Sequence, residues 1–249
     1  MDYTDMLARL GVGSAHPGGF SATLEQLRQF PIPPGTRVLE VGCGTGRTAC
    51  HLARTGAIVT AVDLHPKMVA KARLRAKSAG VDVNILQADA RSLPFPDRQF
   101  DVVLVESVSV FTDTPRVLRE YRRVLKPGGH LYDREIIALR PLPPRVAKVV
   151  RDFFGVSRLW TREQWLLLLR GAGFRRITAW RPTRITPHPP PETAVDHDYG
   201  QLVDFGSAVD PRSLHTTARY EEIMRLYGKH FGYAVLTGTR PGGGTPQGD

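Results

Sequence analysis

The chain has 249 residues, 41% of them hydrophobic and 23% charged, the make-up of an ordinary globular protein of one α/β domain or at most two small ones. No apolar run approaches the roughly 20 residues of a membrane helix, and the N-terminal M-D-Y-T-D-M carries acids where a secretory signal carries positive charge. The net charge of +10 attracts anionic ligands, but the arginines crowding Arg116 to Arg184 fall at mixed helical phases without stacking aromatics, which reads as a solvated surface and not as a nucleic-acid face.

From Thr36 onward, short apolar runs alternate with helical patterns. A helical segment over Ala22 to Phe30 comes first. T-R-V-L-E-V is the first strand, and a helix from Thr48 to Thr55 closes at Gly56. A-I-V-T-A-V-D is the second strand. Pro66 suits the first turn of the next helix, which runs through Ala79 and stops at Gly80. V-N-I-L-Q-A-D and F-D-V-V-L-V-E are the third and fourth strands. Thr114 is the expected cap of a helix with Pro115 at its first position and an apolar stripe of Val117, Leu118, Tyr121, Val124 and Leu125. K-P-G-G turns into a fifth strand, H-L-Y-D-R-E-I-I. Thr161 with Gln164 matches a capping box, and Gly173 ends that helix. F-R-R-I-T-A-W and Y-A-V-L-T-G-T-R are two more strands.

Strands alternating with helices predict a parallel sheet covered on both faces. The expected organisation is a helical N-terminal segment (1–35), an α/β domain (36–240) with an insertion over 186–230 opened by P-H-P-P-P-E, and a flexible tail (241–249). The two cysteines, Cys43 and Cys50, lie in no metal-ligand spacing, so no metal is expected, and a reducing, cytoplasmic setting is.

The first strand ends in L-E-V-G-C-G-T-G-R. A glycine-rich turn between strand and helix lets a ligand approach the backbone closely. Gly42, Gly44 and Gly46 give G-x-G-x-G, and Arg47 occupies the third position of the dinucleotide fingerprint. The next three strands end in Asp63, in Asp89-Ala90 and in Glu106. Three acids thus arrive at the carboxyl edge, where open α/β sheets bind ligands.

V-L-E-V-G-C-G-T-G, A-V-D-L-H-P-K-M, A-D-A-R-S-L-P-F-P-D-R-Q-F-D-V-V and R-V-L-K-P-G-G together resemble successive motifs of class I S-adenosylmethionine-dependent methyltransferases, nearest the branch typified by quinone-biosynthesis enzymes. The resemblance covers about Thr36 to Glu135. It implies a Rossmann-like doubly wound α/β fold with a seven-stranded, mostly parallel sheet whose last strand is antiparallel. It also implies S-adenosyl-L-methionine as cofactor. Gly42 and Gly44 would then pass under the methionine part, with Cys43 and Gly46 of the same loop also cofactor-binding and Glu40 bracing the loop. Asp63 would hold the ribose, Leu64 and Met68 the adenine face, and Asp89 with the Ala90 amide the adenine edge. Glu106, at the end of a strand buried on both faces, is expected to meet the ammonium and the sulfonium of the cofactor, because a carboxylate is costly to bury without a charged or hydrogen-bonding partner.

The motifs do not name the acceptor. No N-P-P-Y or D-P-P-Y follows the fourth strand, which argues against exocyclic amines of adenine or glutamine. In this superfamily the segment S-A-H-P-G-G-F commonly lies over the cofactor as a lid, which makes His16 a candidate general base near neutral pH. Glu135 is expected to face the same cleft. Tyr199, Phe205 and Tyr220 are candidates to wall the acceptor pocket, with core packing the alternative for Tyr220. The expected activity is methyl transfer to an O, N or C atom of a small molecule. An RNA-modifying enzyme and a non-catalytic cofactor-binding regulator stay open as alternatives.

Overall fold

The computed structural model describes residues 2–156, 158–185, 197–198 and 200–242. Most of the Pro-rich link, Tyr199 and the end of the tail therefore lie outside the described residues. In chain order the elements are α1 (Tyr3–Leu10), α2 (Gly19–Gln29), β1 (Arg37–Val41), α3 (Arg47–Arg54), β2 (Ile58–Asp63), α4 (Pro66–Ala79), β3 (Val83–Gln87) and β4 (Phe100–Glu106). A 3₁₀ turn (Ser109–Phe111) follows, then α5 (Thr114–Val124), β5 (Leu125–Ala138), α6 (Pro144–Phe154), α7 (Arg162–Gly171), β6 (Arg175–Arg184), α8 (Pro211–Tyr227) and β7 (Phe231–Thr239).

The strands form one seven-stranded sheet in the order β3-β2-β1-β4-β5-β7-β6. β1 to β5 pair in parallel, and β7 runs antiparallel between β5 and β6. Successive residues on a strand point to opposite faces. Val38, Val59, Ala61, Val102 and Leu104 accordingly join one buried cluster with α3 and α4, while Leu39, Val62, Val103 and Val105 join a second with α5 and α7. The fold is the doubly wound one that the alternating pattern predicts. No helix among the described residues is long and apolar enough to cross a membrane.

Strand order reverses between β1 and β4, which pair in register Val41↔Val105. That switch point sets the glycine loop after β1 beside the end of β4, and so opens the crevice in which such sheets bind ligands.

Local signals hold in most places. Pro66 starts α4, and Gly80 ends it in the left-handed region (φ 62). Thr161 and Gln164 form both bonds of the capping box on α7. The cap of α5 is a correction: Asp113, not Thr114, accepts from the Arg116 amide. The Thr114 hydroxyl instead donates to Ser109 O and accepts from Trp160 Nε1, tying α5 to the 3₁₀ turn.

Arg123 of the basic stretch and Arg240 near the C-terminus serve the fold. Arg123 pairs with Glu120 and Asp97 and also donates to two backbone carbonyls. Arg240 donates to the Arg122, Arg123 and Leu125 carbonyls, each at 2.7 Å, covering acceptors that the end of α5 leaves without a helical partner.

Candidate functional site

A cavity of about 540 Å³ opens at the switch point. Its lining includes Glu40, Gly42, Cys43, Gly44, Asp63, Leu64, Met68, Asp89, Ala90 and Glu106, the residues that the motifs single out. Gly46 is the exception and does not line it. It caps α3 with φ 78, and a Cβ there would crowd the Ala72 Cβ at 3.0 Å, so this glycine lets α3 and α4 approach each other.

Asp63 Oδ2 accepts from the Gly44 amide at 2.9 Å and Oδ1 from the His65 amide at 2.8 Å, so the end of β2 holds the glycine loop in shape. Burial raises the Asp63 pKa against the lowering effect of those two N–H groups. Asp89 is gripped by Arg91, with a closest approach of 2.6 Å, and this pairing holds its carboxyl below the ordinary range. Burial keeps the Cys43 thiol well above its ordinary pKa, which leaves it a poor nucleophile.

Glu40 is buried, and its Oε2 has no hydrogen-bond partner. Burial, then the carboxylates of Glu106 and Asp63, push its pKa well above the usual carboxylate range. Gly44, with φ 53, has nothing within 4 Å of where a Cβ would stand. An unpartnered carboxylate oxygen beside an open glycine backbone fits a ligand that brings an ammonium group over the loop, as the methionine end of S-adenosylmethionine does.

Glu106 lines the cavity, but the chain itself supplies partners for its charge. Thr23 Oγ1 donates to Oε1 at 2.6 Å, and Thr48 Oγ1 donates to Oε2 at 2.9 Å. Arg134 Nε stands 3.6 Å and His16 Nε2 3.4 Å from Oε1. Arg134 also donates from Nη2 to Ala22 O and to Gln26 Oε1, which fastens α2 onto the sheet. None of Thr23, Thr48 or Arg134 was legible as a site residue. They lie 83, 58 and 28 positions from Glu106, too far for any local periodicity to connect.

His16 also lines the cavity and is only 8% exposed. Burial lowers its pKa; Glu106 counters this, while Arg134 and Arg47 add to it. Glu135 is not among the lining residues. Its Oε1 turns back to accept from the Val108 and Ser109 amides at 2.8 and 2.6 Å, so the side chain supports the loop that borders the cavity. That geometry removes the expectation that Glu135 faces the cleft.

The lining also has a large apolar component. It includes Leu7, Phe111, Ile136, Val150, Phe154 and Phe231, drawn from the N-terminal helix, the middle of the chain and the last strand. Tyr220 lines it as well and stacks on Tyr3 at 5.6 Å. Phe205 stands fully exposed and away from it, contrary to expectation. Tyr199 lies outside the described residues. Arg47 stacks on Phe20 at 4.2 Å and donates to His197 O at 3.0 Å, binding the start of α3 to the flanking segments.

Residues 39–133 match the family model described as a methyltransferase domain. The chain is 34% identical over 234 residues to the uncharacterized methyltransferase YodH of Bacillus subtilis (strain 168), covering 94% of this chain and 97% of that one. It is 37% identical over 197 residues to the 27-O-demethylrifamycin SV methyltransferase of Amycolatopsis mediterranei (strain S699), covering 71% and 72%. The crystal structure of the (4+2)-cyclase SpnF superposes with a TM-score of 0.77 at 29% identity, over 96% of this chain and 93% of that one.

Proposed function

The chain belongs to the class I S-adenosylmethionine-dependent methyltransferases, and on that premise we propose that it methylates a hydroxyl oxygen of a bulky, apolar small molecule, with His16 as the general base. One observation carries this reading: a single cavity joins the acid-and-glycine rim to an apolar wall. Its volume of about 540 Å³ is typical of small-molecule sites, which bury most of an apolar ligand and orient it with a few polar groups. The relative named for O-methylation of a rifamycin precursor supports an acceptor of this kind.

The cofactor supplies a methyl group on a positively charged sulfur. On this reading Glu40 and the Gly42–Gly44 backbone hold its methionine end. Asp63 takes the ribose, with Leu64, Met68, Asp89 and Ala90 around the base. The apolar wall excludes water and orders the acceptor, and such positioning is the larger part of catalysis when the donor is already reactive. A hydroxyl must lose its proton as it attacks, and His16, a titratable side chain of the N-terminal segment, lines the cavity.

The test is transfer of label from S-[methyl-³H]adenosylmethionine to a panel of hydroxylated macrolactones, sterols and isoprenoid alcohols. We expect label on oxygen, with His16→Gln lowering kcat by roughly 10²-fold while S-adenosylhomocysteine affinity changes little. Label on nitrogen or carbon, or an undiminished His16→Gln rate, would overturn the hydroxyl-and-base reading.

A further inference from the structure

We propose that Thr23 and Glu106 are positioning residues that select the tautomer of His16, so that the base exists only when the N-terminal segment is docked on the sheet. This rests on the reading of His16 as base.

The argument counts protons. A threonine hydroxyl has one hydrogen to donate. Thr23 directs it to Glu106 Oε1 at 2.6 Å, a carboxylate oxygen that can only accept. The side of Thr23 Oγ1 facing His16 Nε2, at 3.1 Å, therefore offers lone pairs alone. Glu106 Oε1 lies on the same side of the ring at 3.4 Å. Both neighbours of Nε2 are acceptors, so Nε2 carries the hydrogen. In a neutral imidazole the other nitrogen, Nδ1, is then bare. Nδ1 stands 3.5 Å from Pro17 O, an acceptor at the outer edge of hydrogen-bond range that competes weakly for the ring's hydrogen with the hydroxyl and carboxylate at Nε2.

Three charged groups face this ring from three elements: Glu106 at the end of β4, Arg134 on β5 and Arg47 on α3. Burial and the two arginines favour the neutral form, which a base needs. Glu106 opposes them and favours the imidazolium that forms on proton uptake. As the acceptor hydroxyl gives its proton to Nδ1, its oxygen takes the methyl and the C–S bonding pair stays with sulfur. The positive charge that entered on sulfur thus ends on the imidazolium, beside Glu106.

The parts come from two bodies. His16 and Thr23 belong to the N-terminal segment; Glu106, Thr48 and Arg134 belong to the sheet and α3. Arg134 joins them by holding Ala22 O and Gln26 Oε1 on α2. If the segment lifts, Glu106 loses a hydroxyl, His16 loses the carboxylate at Nε2, and the Thr23 hydrogen is no longer directed away from the ring. Proton abstraction is then coupled to closure, which keeps the cofactor from reacting in an open, wet site.

The experiment is ¹⁵N NMR of the full chain labelled at histidine and saturated with S-adenosylhomocysteine, with His16→Gln used to assign the ring. We expect Nε2 in the protonated region and Nδ1 in the unprotonated region. Thr23→Val should mix the two tautomers, lower kcat by about ten-fold or more on any acceptor found, and shift the acid limb of the pH–rate profile. Thr23→Ser should restore both the spectrum and the profile. A wild-type ring protonated at Nδ1, or a Thr23→Val ring indistinguishable from wild type, would overturn the proposal. If the spectra behave as expected but His16→Gln turns over normally, the base assignment fails and the tautomer selection stands.

Discussion

Arg75 and Asp198, 123 positions apart, pair at 2.6 Å with both side chains largely buried, while Arg75 Nε donates to Thr45 O at 2.8 Å. The insertion is thereby tied to the glycine loop. Burial alone would raise the Asp198 pKa, but the Arg75 guanidinium outweighs it and holds the carboxyl below its ordinary value. The pair's contribution is therefore present above the ordinary carboxylate range and lost as pH falls below it. Removing one partner of such a pair leaves the other uncompensated. Asp198→Asn should weaken S-adenosylhomocysteine binding by about ten-fold in calorimetry, with only a small drop in Tm. Affinity within two-fold of wild type would mean that the tie does not shape the loop.

The glycines of the loop should separate folding from binding. A Cβ at Gly42 would overlap Val108 Cγ2, so Gly42→Ala should cost stability outright, by roughly 2 kcal/mol or more in urea unfolding. At Gly44 the space is open, and Gly44→Ala adds only the strain of φ 53, about 1 kcal/mol. Its methyl should instead obstruct the ligand. We expect a larger loss of S-adenosylhomocysteine affinity than of stability, and equal losses would remove Gly44 from the binding surface.

Glu40 should couple cofactor binding to proton release. Its pKa is raised in the free protein by burial and by Glu106 and Asp63, so it holds a proton above the usual carboxylate range. A bound ammonium favours the ionised form. Affinity should therefore rise with pH as the free protein's Glu40 titrates, and calorimetry in buffers of different ionisation enthalpy should report protons leaving on binding. Glu40→Gln should abolish that release and weaken binding several-fold. Release of unchanged size in the variant would assign the proton to another group.

Asp133 and Glu135 stand behind the same loop, both fully buried, with Ser109 Oγ donating to Asp133 Oδ2 at 2.7 Å. Burial pushes Asp133 from 3.8 up to about 7. Between those values the folded protein keeps a proton that the unfolded chain has lost. Stability should therefore fall as pH rises through that window, by about 1.4 kcal/mol per pH unit for each proton the pair keeps, since burial and Asp133 push Glu135 up as well. Asp133→Asn should flatten the dependence and raise Tm relative to wild type at pH 8. A parallel pair of Tm–pH curves would refute the assignment.

The sheet, its doubly wound class and the acids at its carboxyl edge follow from the sequence alone, because each rests on a local signal. Side-chain period identifies strands and helices, Pro66 and Thr161 mark helix starts, and the glycine-rich turn at Gly42–Gly44, together with the acids beside it, marks a place where a ligand can approach the backbone. What Glu106 and Glu135 do was decided only in three dimensions. Glu106 ends β4 and Glu135 lies near the end of β5, yet one turns toward Thr23, Thr48 and His16 while the other turns back onto two backbone amides. A strand fixes which face a residue takes, but not which distant hydroxyl, amide or guanidinium will stand there. Likewise the apolar wall draws on Tyr3, Val150 and Tyr220, from α1, α6 and α8, segments that carry no motif. Such partners are chosen by the packing of whole elements, and the cost of leaving a buried carboxylate unanswered is settled only when those elements meet.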